Sequence, residues 1–343
     1  MIRDDDPAAD WTEPGVRRCA PDVYRIPLPL PQDGLRAVNV YALPDADGWT
    51  LIDSGWALDE SRELLAAALG ELGAGLGDVR RFLVTHVHRD HYTQAVALRR
   101  EFGGRVALGR GEQPALDEIN AGGRDPFAVH HARLRRAGAH GLAATIAANR
   151  PAATDLADWE DPDEWIDDGA EIAVGRARLL TAVETPGHTR GHLVFADDAA
   201  GLLFAGDHVL PRITPSIGFE PLPPPSPLAD FLTALALVRS RRDADLLPAH
   251  GPVGMRVHER VDALLEHHGT RLDATLAAVR EGRHTALAVA GALPWTRHER
   301  RLAEMDPFNA MLAVLETSAH LDVLLERGVV AAASQDGVAH YTT

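Results

Sequence analysis

"LVTHVHRDHY", residues 83–92, sets His86, His88, Asp90 and His91 within six positions, directly after an apolar run. His86 and His88 are two apart, and residues i and i+2 of a strand share a face. At the end of a strand both rings enter one space, and Asp90 and His91 follow on the turn into a helix. Imidazole and carboxylate suit zinc, manganese and iron. Four donors in one short stretch exceed what a single tetrahedral ion needs once distant ligands are added. The stretch therefore predicts two metal ions sharing one site.

The distant ligands are legible by the same rule. "TPGHTRGH" puts His188 in a tight turn after a strand, "LLFAGDH" puts Asp207 after an apolar run, and "LLPAHG" does the same for His250. Each polar residue stands at the carboxyl end of an expected strand, where open α/β sheets gather their sites. A lone histidine after a strand is usually structural; four such coincidences in one chain argue for a metal centre.

Around these motifs the chain alternates strands and helices. "VYRIPLPL", "LRAVNVYALP" and "WTLIDSGW" read as strands, with "DADG" (45–48) a turn between the last two. "SRELLAAALGELG" and "HYTQAVALRREFG" read as helices ending at glycine. The order predicts a layered α/β body over residues 21–258, after an acidic lead at 1–20. A helical insert at about 112–158 is either a surface elaboration or a wall over the site. Its Arg133, Arg135 and Arg136 fit a solvated helix face. Residues 259–343 read as helices followed by a hairpin turning at "QDG", a winged-helix-like unit with Thr285 near the cap of a short helix.

Composition narrows the function. A net charge of −16 disfavours nucleic acid and anionic membranes, and the tail carries eight arginines against twelve acids. A packing or homodimerisation role suits that tail better than binding nucleic acid. One cysteine, Cys19, rules out a disulfide framework. With neither a secretory core nor a long uninterrupted apolar run, a cytoplasmic location is expected.

"THVHRDH", "TPGHTRGH", "FAGDH" and "PAHG" resemble the successive motifs of the metallo-β-lactamase-fold hydrolases, and "WTLIDSGW" resembles that superfamily's early Asp-bearing motif. The resemblance implies an αββα sandwich with a two-metal site along one edge and a small C-terminal helical domain. It implies His86, His88 and His188 on one ion, and Asp90, His91 and His250 on the other. Asp207 would bridge the two, and Asp53 would orient ligands from below. Glycines often follow the first motif in that family; here Tyr92 and Thr93 do. Tyr92, His192, His208 and Arg212 are further candidates beside the pocket. The alternative for Tyr92 is simple packing. Arg212 meets either a substrate carboxylate or phosphate or, as the favoured reading, a surface salt-bridge partner.

Two divalent ions, zinc by default and iron or manganese with the same ligands, imply attack by a metal-bridging hydroxide, with Asp90 as the catalytic proton shuttle. The branch resembled includes hydroxyacylglutathione hydrolases and endoribonuclease β-lactamase-like proteins. Only 43 positions separate Asp207 from His250, too few for the large domain that nucleases of this fold often insert. The expectation is hydrolysis of a small acyl thioester or ester. An endoribonuclease or phosphodiesterase, a lactonase, and a metal-free scaffold are the alternatives.

Overall fold

The alternation of apolar side chains sets the layers. In the strand Val79–Val84, Phe82 and Val84 face one core and Leu83 the opposite one. In Leu202–Gly206, Leu202 and Phe204 share the core of Leu83, while Leu203 and Ala205 face a third. Period-two burial on both faces requires each sheet to be covered twice. The result is helix, sheet, sheet, helix, an αββα sandwich.

The computed structural model describes residues 2–31, 34–121, 128–149, 156–296 and 298–343; positions 122–127 and 150–155 of the expected insert lie outside them. The first sheet runs in chain order: β1 (Arg3–Asp4), β2 (Arg17–Ala20), β3 (Val23–Pro29), β4 (Ala37–Asp45), β5 (Gly48–Ile52), β6 (Val79–Val84), β7 (Arg105–Gly109) and β8 (Glu164–Ile166). Helices α1 (Asp59–Glu71), α2 (Arg89–Phe102) and α3 (Gln113–Asn120) cover its outer face. The second sheet comprises β9 (Glu171–Val174), β10 (Arg178–Glu184), β11 (Leu193–Asp197), β12 (Leu202–Gly206) and β13 (Asp245–Pro248), ordered from β13 to β9.

Over the second sheet lie α6 (Pro227–Ser240) and α7 (Val257–Arg280), in one continuous core with α8 (Ala286–Ala292), α9 (Pro307–Glu326) and the hairpin β14 (Ala331–Gln335)–β15 (Val338–Thr342). Of the insert, α4 (Ala128–Arg136) and α5 (His140–Ala148) pack on α9. Thr285 caps α8, its Oγ1 accepting from the Ala288 N–H at 3.2 Å. Among the described residues α9 alone is long and apolar enough to cross a membrane, with mean hydropathy 1.2, but most of it is buried as a core helix.

The N-terminal lead is more ordered than its composition suggests. Residues 3–4 form an edge strand that pairs in parallel with Arg17 and Arg18 of β2. Asp5 holds the buried Arg25 at 2.5 Å, and Arg25 also donates to the Trp11 carbonyl and to Asn39 Oδ1. Asn39 Nδ2 in turn donates to the carbonyls of Pro248 and Gly251, both at 2.9 Å. A charged pair in the interior thus anchors the "PAHG" loop. Breaking such a pair from one side leaves an unpaired buried charge. Arg25→Ala is expected to cost about 3–5 kcal/mol in urea unfolding, and Asp5→Leu combined with Arg25→Met to regain part of it. A loss under about 1 kcal/mol for the single variant would show that the pair is not structural.

Candidate metal centre

The ends of β5, β6, β10, β12 and β13 open on one edge of the sandwich, and every candidate ligand lies just beyond one of them. Asp53 follows β5. His86 follows β6; His88 stands at the N-cap of α2, and Asp90 and His91 lie in its first turn. His188 lies in the turn after β10, Asp207 directly after β12, and His250 two residues past β13.

The distal nitrogen of each imidazole decides what the proximal one can do. His88 Nε2 faces the Phe219 carbonyl at 2.8 Å, His188 Nδ1 the Ser216 carbonyl at 2.7 Å, and His250 Nδ1 the Ala37 carbonyl at 2.7 Å. A carbonyl only accepts, so each of these nitrogens carries the proton. His91 Nδ1 donates in the same way to Asp53 Oδ2 at 2.9 Å. Thr85 gives its hydroxyl proton to Asp53 and therefore accepts from His86 Nδ1 at 3.0 Å.

The opposite nitrogens converge. In the neutral rings of His86, His88 and His188 they are lone pairs. At His91 and His250 burial opposes charge, but the facing carboxylates raise the imidazole and favour a second proton in the absence of a metal: Asp53, Asp90 and Asp207 for the one, Asp207 and Asp90 for the other. His88 Nδ1 is 3.0 Å from both His86 Nε2 and His188 Nε2. With no proton between them, these contacts are not hydrogen bonds. Nitrogens about 2.1 Å from a tetrahedral ion stand about 3.4 Å apart, so the spacing is that of a slightly contracted ligand set. On the other side, Asp90 Oδ2 lies 3.4 Å from both His91 Nε2 and His250 Nε2. His91 Nε2, His250 Nε2 and Asp207 Oδ1 are buried without a hydrogen-bond partner. Burying bare polar atoms is costly unless something pairs with them, and a cation satisfies all of them together. The donor set fits two divalent ions.

These residues form two candidate metal-ligand clusters. His86, His88 and His188 make the first; Asp90, His91 and His250 make the second; and His86, His91 and Asp207 form a third group that joins them. Asp207 lies between them, Oδ2 3.4 Å from His188 Nε2 and Oδ1 3.2 Å from His250 Nε2. Burial pushes His86 well below the usual imidazole range and takes His88 down to about 3, so both are neutral. Burial also works against charge on Asp207, but His250, His91 and His188 hold it ionised.

The remaining candidates divide. Asp53 adopts φ 59°, a left-handed conformation unusual for a non-glycine residue, and uses it to accept from Thr85 N and Thr85 Oγ1 while gripping His91. His192 accepts from the Asp207 N–H at 3.0 Å, so it steadies the backbone of the residue between the clusters. Gly206 makes room for that contact: a Cβ there would lie 2.6 Å from His192 Nε2. Among the described residues, three candidate side chains take no part in the clusters' hydrogen bonding. Tyr92 is outside the pocket; one helical step beyond His91 it sinks into the core under α2 and donates to the Glu160 carbonyl at 2.5 Å. His208 packs on Phe231 of α6, kept neutral by burial that takes it to about 3. Arg212 is exposed, with no hydrogen bond to a cluster residue among the described residues.

Several supporting residues were not singled out from the sequence. Thr85 links Asp53 to His86. Glu112 is wholly buried, accepts from Thr189 beside His188, and is raised by burial to about 7. The carbonyls of Ser216 and Phe219 belong to the proline-rich loop, and a backbone carbonyl leaves no mark in a sequence. Because Asp53 sets the tautomer of His91, Asp53→Asn is expected to weaken metal retention about 10–100-fold, read by metal analysis after dialysis against a graded chelator. Unchanged retention would refute that role.

The profile of the metallo-beta-lactamase superfamily matches residues 33–250. A beta-lactamase domain protein from Burkholderia ambifaria superposes with TM-score 0.79 at 28% identity, covering 98% of this chain and 96% of that one. A beta-lactamase-like protein 2 homolog from Caenorhabditis elegans is 33% identical over 117 residues, 34% of this chain and 37% of that protein. An atrochrysone carboxyl ACP thioesterase from Aspergillus fumigatus is 22% identical over 257 residues, 73% of this chain and 46% of that protein. Both of these relatives are thus matched over less than half of their own length. Matched over residues 33–250, the chain belongs to the metallo-beta-lactamase superfamily.

Proposed function

We propose that the protein hydrolyses small acyl thioesters or esters with two divalent ions, zinc by default, in the manner of hydroxyacylglutathione hydrolase-like members of its family. The observation that carries the metal chemistry is the convergence of five imidazole nitrogens and two carboxylates, with the other nitrogen of every ring hydrogen-bonded to an outer acceptor. Bound there, two such ions supply an ionised water near neutral pH and an electrophile for the developing oxyanion. His86, His88 and His188 would hold one ion, and Asp90, His91 and His250 the other.

The chain's own residues contribute in distinct ways. Asp207 spans the clusters from the buried side. Asp90 is the more open carboxylate, its side chain 14% exposed against 7% for Asp207. From that position it can orient a water and take its proton while facing His91 and His250. Cys19 supplies no rival nucleophile: it lies on β2 against Asp5, and burial pushes its thiol far up. Thioester chemistry is supported by the thioesterase relative and by the chain's negative charge, which opposes a polyanionic substrate. The stretch from Asp207 to His250 holds only a loop, α6 and β13.

The test is a hydrolysis screen of the metal-loaded protein against acyl-glutathione, acyl-coenzyme A, aryl esters, lactones and single-stranded RNA. Thioester or ester turnover is expected. Asp207→Ala is expected to lower metal content and bring turnover to background, since it removes the carboxylate between the clusters. Cleavage of RNA alone, lost in that variant, would overturn the substrate class; an active variant with full metal would overturn the role of Asp207.

A further inference from the structure

Apart from His86, which shares Asp53 with the second cluster through Thr85, the two clusters are supported by different parts of the chain. His91 and His250, in the second, are held by Asp53 and the Ala37 carbonyl, both from the first sheet. His88 and His188, in the first, are held by the loop 216–219 through the carbonyls of Phe219 and Ser216. That loop is itself clasped. The Gly218 N–H donates to the Gly187 carbonyl at 2.9 Å, and the Gly218 carbonyl accepts from Arg133 Nη1 of α4 at 2.9 Å. The Phe219 ring stacks on His130 of α4 at 4.8 Å and meets Phe308 of α9 edge-on at 5.5 Å. Arg133, expected on a solvated helix face, is partly buried near Asp322 of α9 and Glu220, while Arg135 and Arg136 are exposed.

We propose that Arg133 is a positioning residue for the first cluster: by binding the Gly218 carbonyl it fixes the neighbouring carbonyls of Ser216 and Phe219, and through them the rings of His188 and His88. This rests on the metal reading above. The donor lies between the two carbonyls that set the tautomers, so its loss frees both rings to turn. An outer hydrogen bond of this kind typically changes metal affinity about 10–100-fold. The helical insert and the tail thereby act on metal binding without offering a ligand, and they act on one of the two ions.

Cobalt(II) titration of the metal-free protein, followed by its visible absorption in competition with a chelator, reads each equivalent separately. Wild type is expected to take two ions. Arg133→Ala is expected to weaken one equivalent about 10–100-fold and leave the other within about 2-fold. Arg133→Lys, which can still donate to the carbonyl, should recover most of the loss. Arg135→Ala, on the same helix but exposed, should behave as wild type. Phe308→Ala, at a partly exposed edge that tolerates truncation, should weaken the same equivalent less, and it carries the test if Arg133→Ala does not fold. Two wild-type equivalents in Arg133→Ala, or equal loss of both, would overturn the proposal. A wild-type protein that takes up no cobalt would remove the metal reading itself, a separate outcome.

Discussion

The structure turns on a constraint of proton placement. An imidazole has two nitrogens and, when neutral, one proton, so an acceptor on one side dictates a lone pair on the other. Five rings meet such an acceptor: three backbone carbonyls, the Asp53 carboxylate, and a Thr85 hydroxyl whose own proton is already committed. Five nitrogens then face one another near two carboxylates, an arrangement that calls for positive charge, supplied by protons on His91 and His250 or by bound cations. Positive charge is the element that reconciles the local geometry with the burial.

The sandwich makes this placement possible. Two sheets, each covered on its outer face, end their strands at one edge, so residues far apart in sequence meet there. Asp53 and His250 are anchored through the first sheet and β4, His88 and His188 through the proline-rich loop, and Asp207 through His192. Apart from Thr85, the chain neighbour of His86, no acceptor lies on the same element as the ring it orients. The outer layer of supports therefore matters as much as the ligands, and the α4 insert and the C-terminal helices enter the chemistry only through it.

Much of the site was legible because its residues carry their meaning in type and spacing. The pairing of His86 with His88 reports a strand end, and Asp207 and His250 each follow an apolar run that can only be a buried strand. Asp53 stood out in "IDSG". Tyr92 packs in the core, one of its two readings, because adjacency in sequence is not adjacency on a helix: about 100° of rotation separates it from His91, and that turn takes it from the site into the core. Arg133 misled for the converse reason, since "HARLRRAG" shows the spacing of a helix but not what packs on it.

What the sequence determined by itself was the alternation of strands and helices, a layered α/β body and the identity of the candidate ligands, since periodicity and residue type are local properties; the αββα class came from the resemblance of its motifs to a family. What only the tertiary structure decided was which nitrogen of each ring is free, which backbone carbonyls orient the rings, and that Arg25 and Arg133 are drawn inward to hold loops. Those depend on atoms brought together across long stretches of chain, often backbone atoms common to every residue. No local pattern can encode a partner that is chemically the same wherever it stands.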